Sequence, residues 1–201
     1  MEYNLFTVGH SNHKIEYLKS LLIKNQIDVI CDVRSSPYSK YNPQFNREFI
    51  KSELKKDNIK YLYLGQELGA RSDNRNNYVN NKVKYSLLAK DQLFISGLKR
   101  LENGIKQYTI ALMCAEKDPI TCHRMILVTR ELKEKNITIQ HILENGTIES
   151  NSEAENRLMN LHGLETNLFQ QDNLLLKQAY ELQADRIAYQ LDKDITHQQT
   201  A

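Results

Sequence analysis

The chain has 201 residues, 40% of them hydrophobic and 26% charged, which suits a packed domain and excludes global disorder. The formal net charge of +2 is unevenly spread: residues 1–145 carry +7 and residues 146–201 carry −5, so a basic body faces an acidic tail and an anionic ligand is expected. No apolar run approaches the roughly 20 residues of a membrane helix, no secretory signal is visible in Met1-Glu2-Tyr3-Asn4, and three cysteines make no disulfide framework. A soluble, cytoplasmic protein without a membrane partner is the expectation.

Apolar runs alternate with amphipathic ones. Leu5-Phe6-Thr7-Val8 reads as a strand ending at Gly9. Ile15, Leu18, Leu21 and Leu22 follow at helical spacing. Ile27 to Val33 reads as a buried strand, and 46–57 as a helix capped by Asn46. Tyr61 to Leu64 is a third strand. Residues 86–103 predict one long helix stopping at Gly104. Tyr108 to Met113 is a fourth strand, Asp118-Pro119 opens a helix to about Lys135, and Ile137 to Ile142 is a fifth strand. This alternation predicts an α/β domain over 1–148: a mostly parallel open sheet of about five strands, with helices on both faces in a three-layer sandwich.

Residues 149–201 predict a C-terminal helical extension. Leu161, Leu168, Leu175, Leu182 and Tyr189 fall seven apart. The positions three residues on (Leu164, Gln171, Gln178, Asp185) mostly lack the second apolar site of a coiled coil. Helices packed on the domain, or on a second copy in a homodimer, are expected instead.

Open parallel sheets bind ligands beyond the carboxyl ends of their strands. His10 and Ser11 follow strand one, Asp32 and Arg34 end strand two, Arg71 follows strand three, and Cys114 and Glu116 follow strand four. Cys122, His123 and Arg124 open the next helix, where the helix dipole and neighbouring cations favour a thiolate. Cys122 is thus a candidate nucleophile. Glu116, His123, His10 and Asp32 are candidate acid–base groups. Arg34, Arg71 and Arg124 are candidate anion binders, unless Arg34 pairs with Asp32 or Glu67, and Ser11 and Cys114 are candidate substrate contacts beside them. Cys31, in mid-strand, reads as a small buried residue.

No cofactor and no metal are expected. Zinc on Cys114, Cys122, His123 and His10 remains an alternative, although the spacing lies outside the usual ligand patterns. Ile120 and Val128 stand six residues after the two cysteines, so there is no phosphatase-type cysteine–arginine loop. Nor is there a dinucleotide fingerprint or a Walker loop. Two stretches interleave cations with rings: Arg34 to Arg47, with Tyr38 and Tyr41, and Arg71 to Tyr85, with five asparagines. Such a mixture suits stacked bases and phosphates, though a solvated loop reads slightly better for the second.

The motifs together resemble the bacterial and archaeal domain-of-unknown-function family numbered 488, in its longer form. They are Thr7-Val8-Gly9-His10-Ser11, Asp32-Val33-Arg34 with Pro37, Leu68-Gly69 before Arg71, and Cys114-Ala115-Glu116 leading to Cys122-His123-Arg124. His141-Ile142 before Gly146, and Ala154-Glu155-Asn156-Arg157-Leu158, also match. The resemblance runs to about Tyr189, with Ala70 where a second glycine is expected. It implies an α/β sandwich and an association with DNA repair or modification, but no established reaction. The residues and the resemblance together predict an enzyme acting on a nucleotide or nucleic-acid base. A non-catalytic nucleic-acid-binding module and a metal- or redox-stabilised scaffold are the alternatives.

Overall fold

The computed structural model describes residues 3–133, 135–164 and 172–191. Strands β1 (Tyr3–Gly9), β2 (Val29–Asp32) and β3 (Lys60–Tyr63) form where short apolar runs stand between turn residues. The stretch from Arg71 to Tyr85 is not an open loop. It folds into β4 (Tyr78–Val79) and β5 (Lys82–Val83), an antiparallel pair turned by Asn80 and Asn81, both at positive φ. Asn74 and Asn77 donate to Asp91. The asparagines therefore build this segment, and its Lys82 and Lys84 pair with Asp185. β6 (Ile110–Cys114), β7 (Ile137–Ile142) and β8 (Ile148–Ser150) complete the strands.

The main sheet has six strands in the order β3-β2-β6-β1-β7-β8. Five are parallel, and β8 adds antiparallel to β7. Three residues gave β8 no readable period. Successive side chains of a strand point to opposite faces, and two cores result. On one face Val8, Ile30, Ala111 and Met113 meet α1 (Ile15–Lys24) and α2 (Arg47–Lys56). On the other, Cys31, Leu112 and Cys114 meet α5 (Gln92–Ile105), α6 (Asn151–Leu161) and α7 (Asp172–Ile187). The short helices α3 (Gly65–Leu68) and α4 (Tyr85–Leu88) lie on this second side. This is the expected α/β sandwich.

Local details differ from expectation. Asn46 precedes α2, but its side chain accepts from Ser39 N–H and caps nothing. The helix expected over 86–103 breaks after Leu88, because Asp91 caps a new start through Leu93 N–H; α5 then runs through Gly104. The helix expected from Asp118 is irregular: a 3-10 turn at Pro119–Thr121, a π-helical turn at Arg124–Val128 and another 3-10 turn at Thr129–Glu131. Arg124 to Val128 are all buried, so no polar face imposes a helical period there.

The C-terminal segment shares the main core through Ala179, Tyr180 and Ala184. Of the stripe with sevenfold spacing, Leu175 is buried, whereas Leu161 and Leu182 are exposed. Leu168 and Gln171 lie outside the described residues. Among the described residues no helix is long and apolar enough to cross a membrane.

Candidate functional site

The parallel register brings the carboxyl ends of the central strands to one edge. Gly9 lies across from Cys114, and Asp32 from Met113. A Cβ on Gly9 would stand 1.9 Å from the Glu116 carbonyl oxygen. Only glycine lets the chain after β6 fold over the end of β1. Ser11 N–H and His10 N–H then bond to the carbonyls of Ala115 and Cys114.

Two groups of titratable residues occupy this edge. The first is His10, Asp32 and Arg34. Asp32 Oδ1 accepts from Arg34 Nε at 2.9 Å, and Oδ2 accepts from Arg34 Nη2 and from the Tyr61 hydroxyl at 2.6 Å. The remaining Arg34 donors reach the Phe45 carbonyl and His10 Nε2. His10 Nδ1 bonds to the Ser11 carbonyl, and its ring stacks on Phe45. Burial, then the Arg34 charge, lowers the His10 pKa to about 4, so the ring is neutral. Asp32 is fully buried with its oxygens engaged, and stands as a structural counter-ion to Arg34 rather than an acid–base group in reach of a ligand. Glu67 pairs with Arg100 instead.

The second group is Cys114, Glu116, Cys122 and His123. Glu116 Oε2 lies 3.0 Å from Cys114 Sγ and 3.1 Å from Cys122 Sγ. His123 Nδ1 lies 3.6 Å from Cys114 Sγ and 3.9 Å from Cys122 Sγ, and its Nε2 is 3.0 Å from the Val33 carbonyl. Cys122 is not in a helical first turn. Its backbone is extended (φ −130°, ψ 142°), between the 3-10 and π turns. Burial opposes its ionisation, but the hydrogen bond from Cys114 and the charges of Arg124 and His123 prevail and hold its pKa well below the usual thiol range. The same bond, with burial, pushes Cys114 well up. Burial and the Cys122 charge raise Glu116. Burial lowers the His123 pKa, but the bond to Cys122 and its charge outweigh that and raise it.

Arg124 does not face a ligand. Fully buried, it donates to the carbonyls of Glu116 and Lys117 and to Thr7 Oγ1, and so holds the loop between the two cysteines. Arg157 grips the same loop from α6: it donates to both oxygens of Asp118 and to both of Glu149. Burial, then Arg124, lowers His141 to about 4. It bonds to Thr7 and Asn151 behind the loop. Cys31 is buried in mid-strand, and burial pushes its thiol up to about 12.

A pocket of about 260 Å³ opens above the second group, lined by Arg34, Arg71, Cys114, Glu116 and His123 among others. Cys122, 1% exposed, lies beneath it. His10, Asp32, Ser11, Arg124, Tyr38 and Tyr41 do not line it. Tyr38 donates to Glu48 at the surface, and Tyr41 is 93% exposed. Among the walls that sequence reasoning did not assign to a site are Tyr85, Thr121, Ile187 and Tyr189. Arg71 lies over the Tyr189 ring, 4.5 Å from its centroid. A larger hollow of about 560 Å³ between Lys117 and Arg157 has its charges engaged: Arg157 with Asp118 and Glu149, Lys117 with Glu144.

A family profile described as domain of unknown function DUF488 matches residues 14–130. The chain belongs to that family. The matched stretch takes in Asp32 to Arg34, Arg71 and the whole Cys114–Arg124 loop, so both groups of the DUF488 site fall largely inside it. Thr7–Ser11 and Ala154–Leu158 lie outside, although they pack on it. No curated protein matches the chain, and no solved structure matches it.

Proposed function

We propose that the chain is an enzyme acting on a nucleotide or a nucleic-acid base held in the Cys114–Glu116–His123 pocket. The observation that carries this reading is Glu116: a buried carboxyl of raised pKa, opening on a pocket whose rim carries a cation over a ring. A carboxyl group pushed toward neutrality suits proton transfer near neutral pH. Arg71 has no carboxylate partner among the described residues, so its fork is available to a phosphate. Tyr189 and Tyr85 supply ring faces and edges for a planar base. At about 260 Å³ the space is smaller than the usual ligand pocket, which starts at about 300 Å³. It suits one base or a small phosphate ester, so a polymer would present an extruded nucleotide.

The test is a binding and turnover screen of nucleoside monophosphates and short single-stranded oligonucleotides at low salt. Arg71→Ala is expected to weaken binding about tenfold or more, with a shallower salt dependence. Glu116→Gln is expected to bind as before and to lose conversion. No binding at low salt, or conversion that survives Glu116→Gln, overturns the reading. The exposed rings of Tyr38 and Tyr41 favour a second reading, a nucleic-acid-binding module without catalysis. Binding that depends on Tyr41 and ignores Arg71 would select it.

A further inference from the structure

We propose that Cys114, Cys122 and His123 bind a single tetrahedral divalent transition metal, zinc by preference. Their ligand atoms all lie within 4.8 Å of one another. A zinc–nitrogen bond of about 2.0 Å and a zinc–sulfur bond of about 2.3 Å, at a tetrahedral angle, place nitrogen and sulfur about 3.5 Å apart. His123 Nδ1 stands 3.6 Å and 3.9 Å from the two sulfurs, so the ion fits with small adjustments. Two thiolates and an imidazole are the soft donor set that zinc takes.

The histidine is set for this role. Its Nε2 faces the Val33 carbonyl, which can only accept, so Nε2 carries the hydrogen. In the neutral ring Nδ1 is then a bare lone pair aimed at both sulfurs. The backbone explains how adjacent residues serve one ion. Cys122 is extended (φ −130°, ψ 142°) and His123 is helical (φ −61°, ψ −22°), and this change of conformation brings two consecutive side chains to one point. Spacing rules built on paired cysteines do not anticipate it. His10, which the sequence offered as a fourth ligand, has both ring nitrogens engaged elsewhere. Arg124 N–H lies 3.5 Å from Cys122 Sγ, the kind of outer contact that steadies a ligating thiolate.

Glu116 takes the remaining side. Its Oε2 is about equidistant from the sulfurs and it also lines the pocket. The ion therefore has three protein donors and a fourth position beside a carboxyl group and open to a ligand, the arrangement of catalytic rather than structural zinc. Cys122 becomes a ligand, which agrees with its burial and removes it as the nucleophile. The assignment rests on this pocket being the working site, but the ion is measured without substrate. An absent ion leaves the nucleotide reading standing, and a failed nucleotide screen leaves the ion standing.

The experiment uses the full chain, purified under reducing conditions without chelator. Elemental analysis is expected to give about one equivalent of zinc. Replacement by cobalt is expected to give tetrahedral absorption in the red and sulfur-to-cobalt charge transfer in the near ultraviolet. Cys114→Ser, Cys122→Ser and His123→Gln should each lose the ion, whereas Cys31→Ser should keep it. Circular dichroism checks folding. If the cysteine variants unfold, His123→Gln and the wild-type charge-transfer band still decide the matter. Folded wild-type protein that takes up no zinc or cobalt, a band that survives His123→Gln, or one lost in folded Cys31→Ser overturns the proposal.

Discussion

The two groups at the carboxyl edge of the sheet use the same residue types to opposite ends. Around Asp32, every strong acceptor meets a donor from Arg34 or Tyr61, and His10 is neutral and stacked. Around Glu116, two sulfurs, a carboxyl oxygen and a ring nitrogen point at one another, all of them atom types that ligate metals, with the thiols as weak donors to the carboxylate. The first arrangement is closed and stabilises the fold. The second is joined largely through thiols, whose hydrogen bonds are weak and more readily exchanged for another ligand. Both sit on strand ends, so position alone does not separate them. The strength of the hydrogen bonds does.

That contrast breaks most visibly under mutation. Asp32→Ala leaves the buried Arg34 guanidinium uncompensated and is expected to cost about 3–5 kcal/mol, read as a fall in the urea midpoint. Glu116→Gln, which leaves Cys122 beside His123 and keeps an oxygen to accept from the thiols, should cost about 1 kcal/mol or less. Equal losses would mean that both groups are structural.

Acid sharpens the contrast by a smaller step. His10 and His141 titrate at about 4 in the folded chain and near 6.5 when unfolded. The unfolded chain therefore binds more protons between those values. Their contribution is complete above about pH 6.5 and is lost as pH falls toward 4. Urea midpoints at pH 7 and pH 5 should differ in that sense, and the difference should shrink in His141→Gln. Glu116, whose pKa is raised, pulls the other way: protonation on acidification stabilises the folded form. A difference between pH 7 and pH 5 that is unchanged in His141→Gln would mean that this ring is not held neutral.

The strand ends were legible because alternating apolar runs mark them, and they led to Cys114, Glu116 and His123. The roles within each group were legible only in part, the pairing of Arg34 with Asp32 being one of two readings. Asp32 and Arg34 are two residues apart and their closure with Tyr61 and Phe45 depends on chain far away in sequence. Arg124 looked like an anion binder because guanidinium groups bind anions; here the anion is replaced by two carbonyls of its own loop. Tyr189 was visible only as the last member of a sevenfold stripe, a pattern that carries no information about which pocket a ring completes. Arg157 lay in a recognised motif with no assigned task until α6 placed it against Asp118.

Tyr189 and Ile187 wall the pocket from the end of α7, and Gln183 Nε2 donates to the Ile120 carbonyl in the loop that carries Cys122. Synthesis runs in one direction, and the donors of residues 114–123 leave the ribosome well before these later residues do. The nascent chain therefore passes through a stage in which the reactive groups are present and their enclosure is not. Domains begin to fold during translation, so α7 is expected to dock after the sheet has formed. Until it docks, Arg71 lacks its ring and the pocket lacks a side.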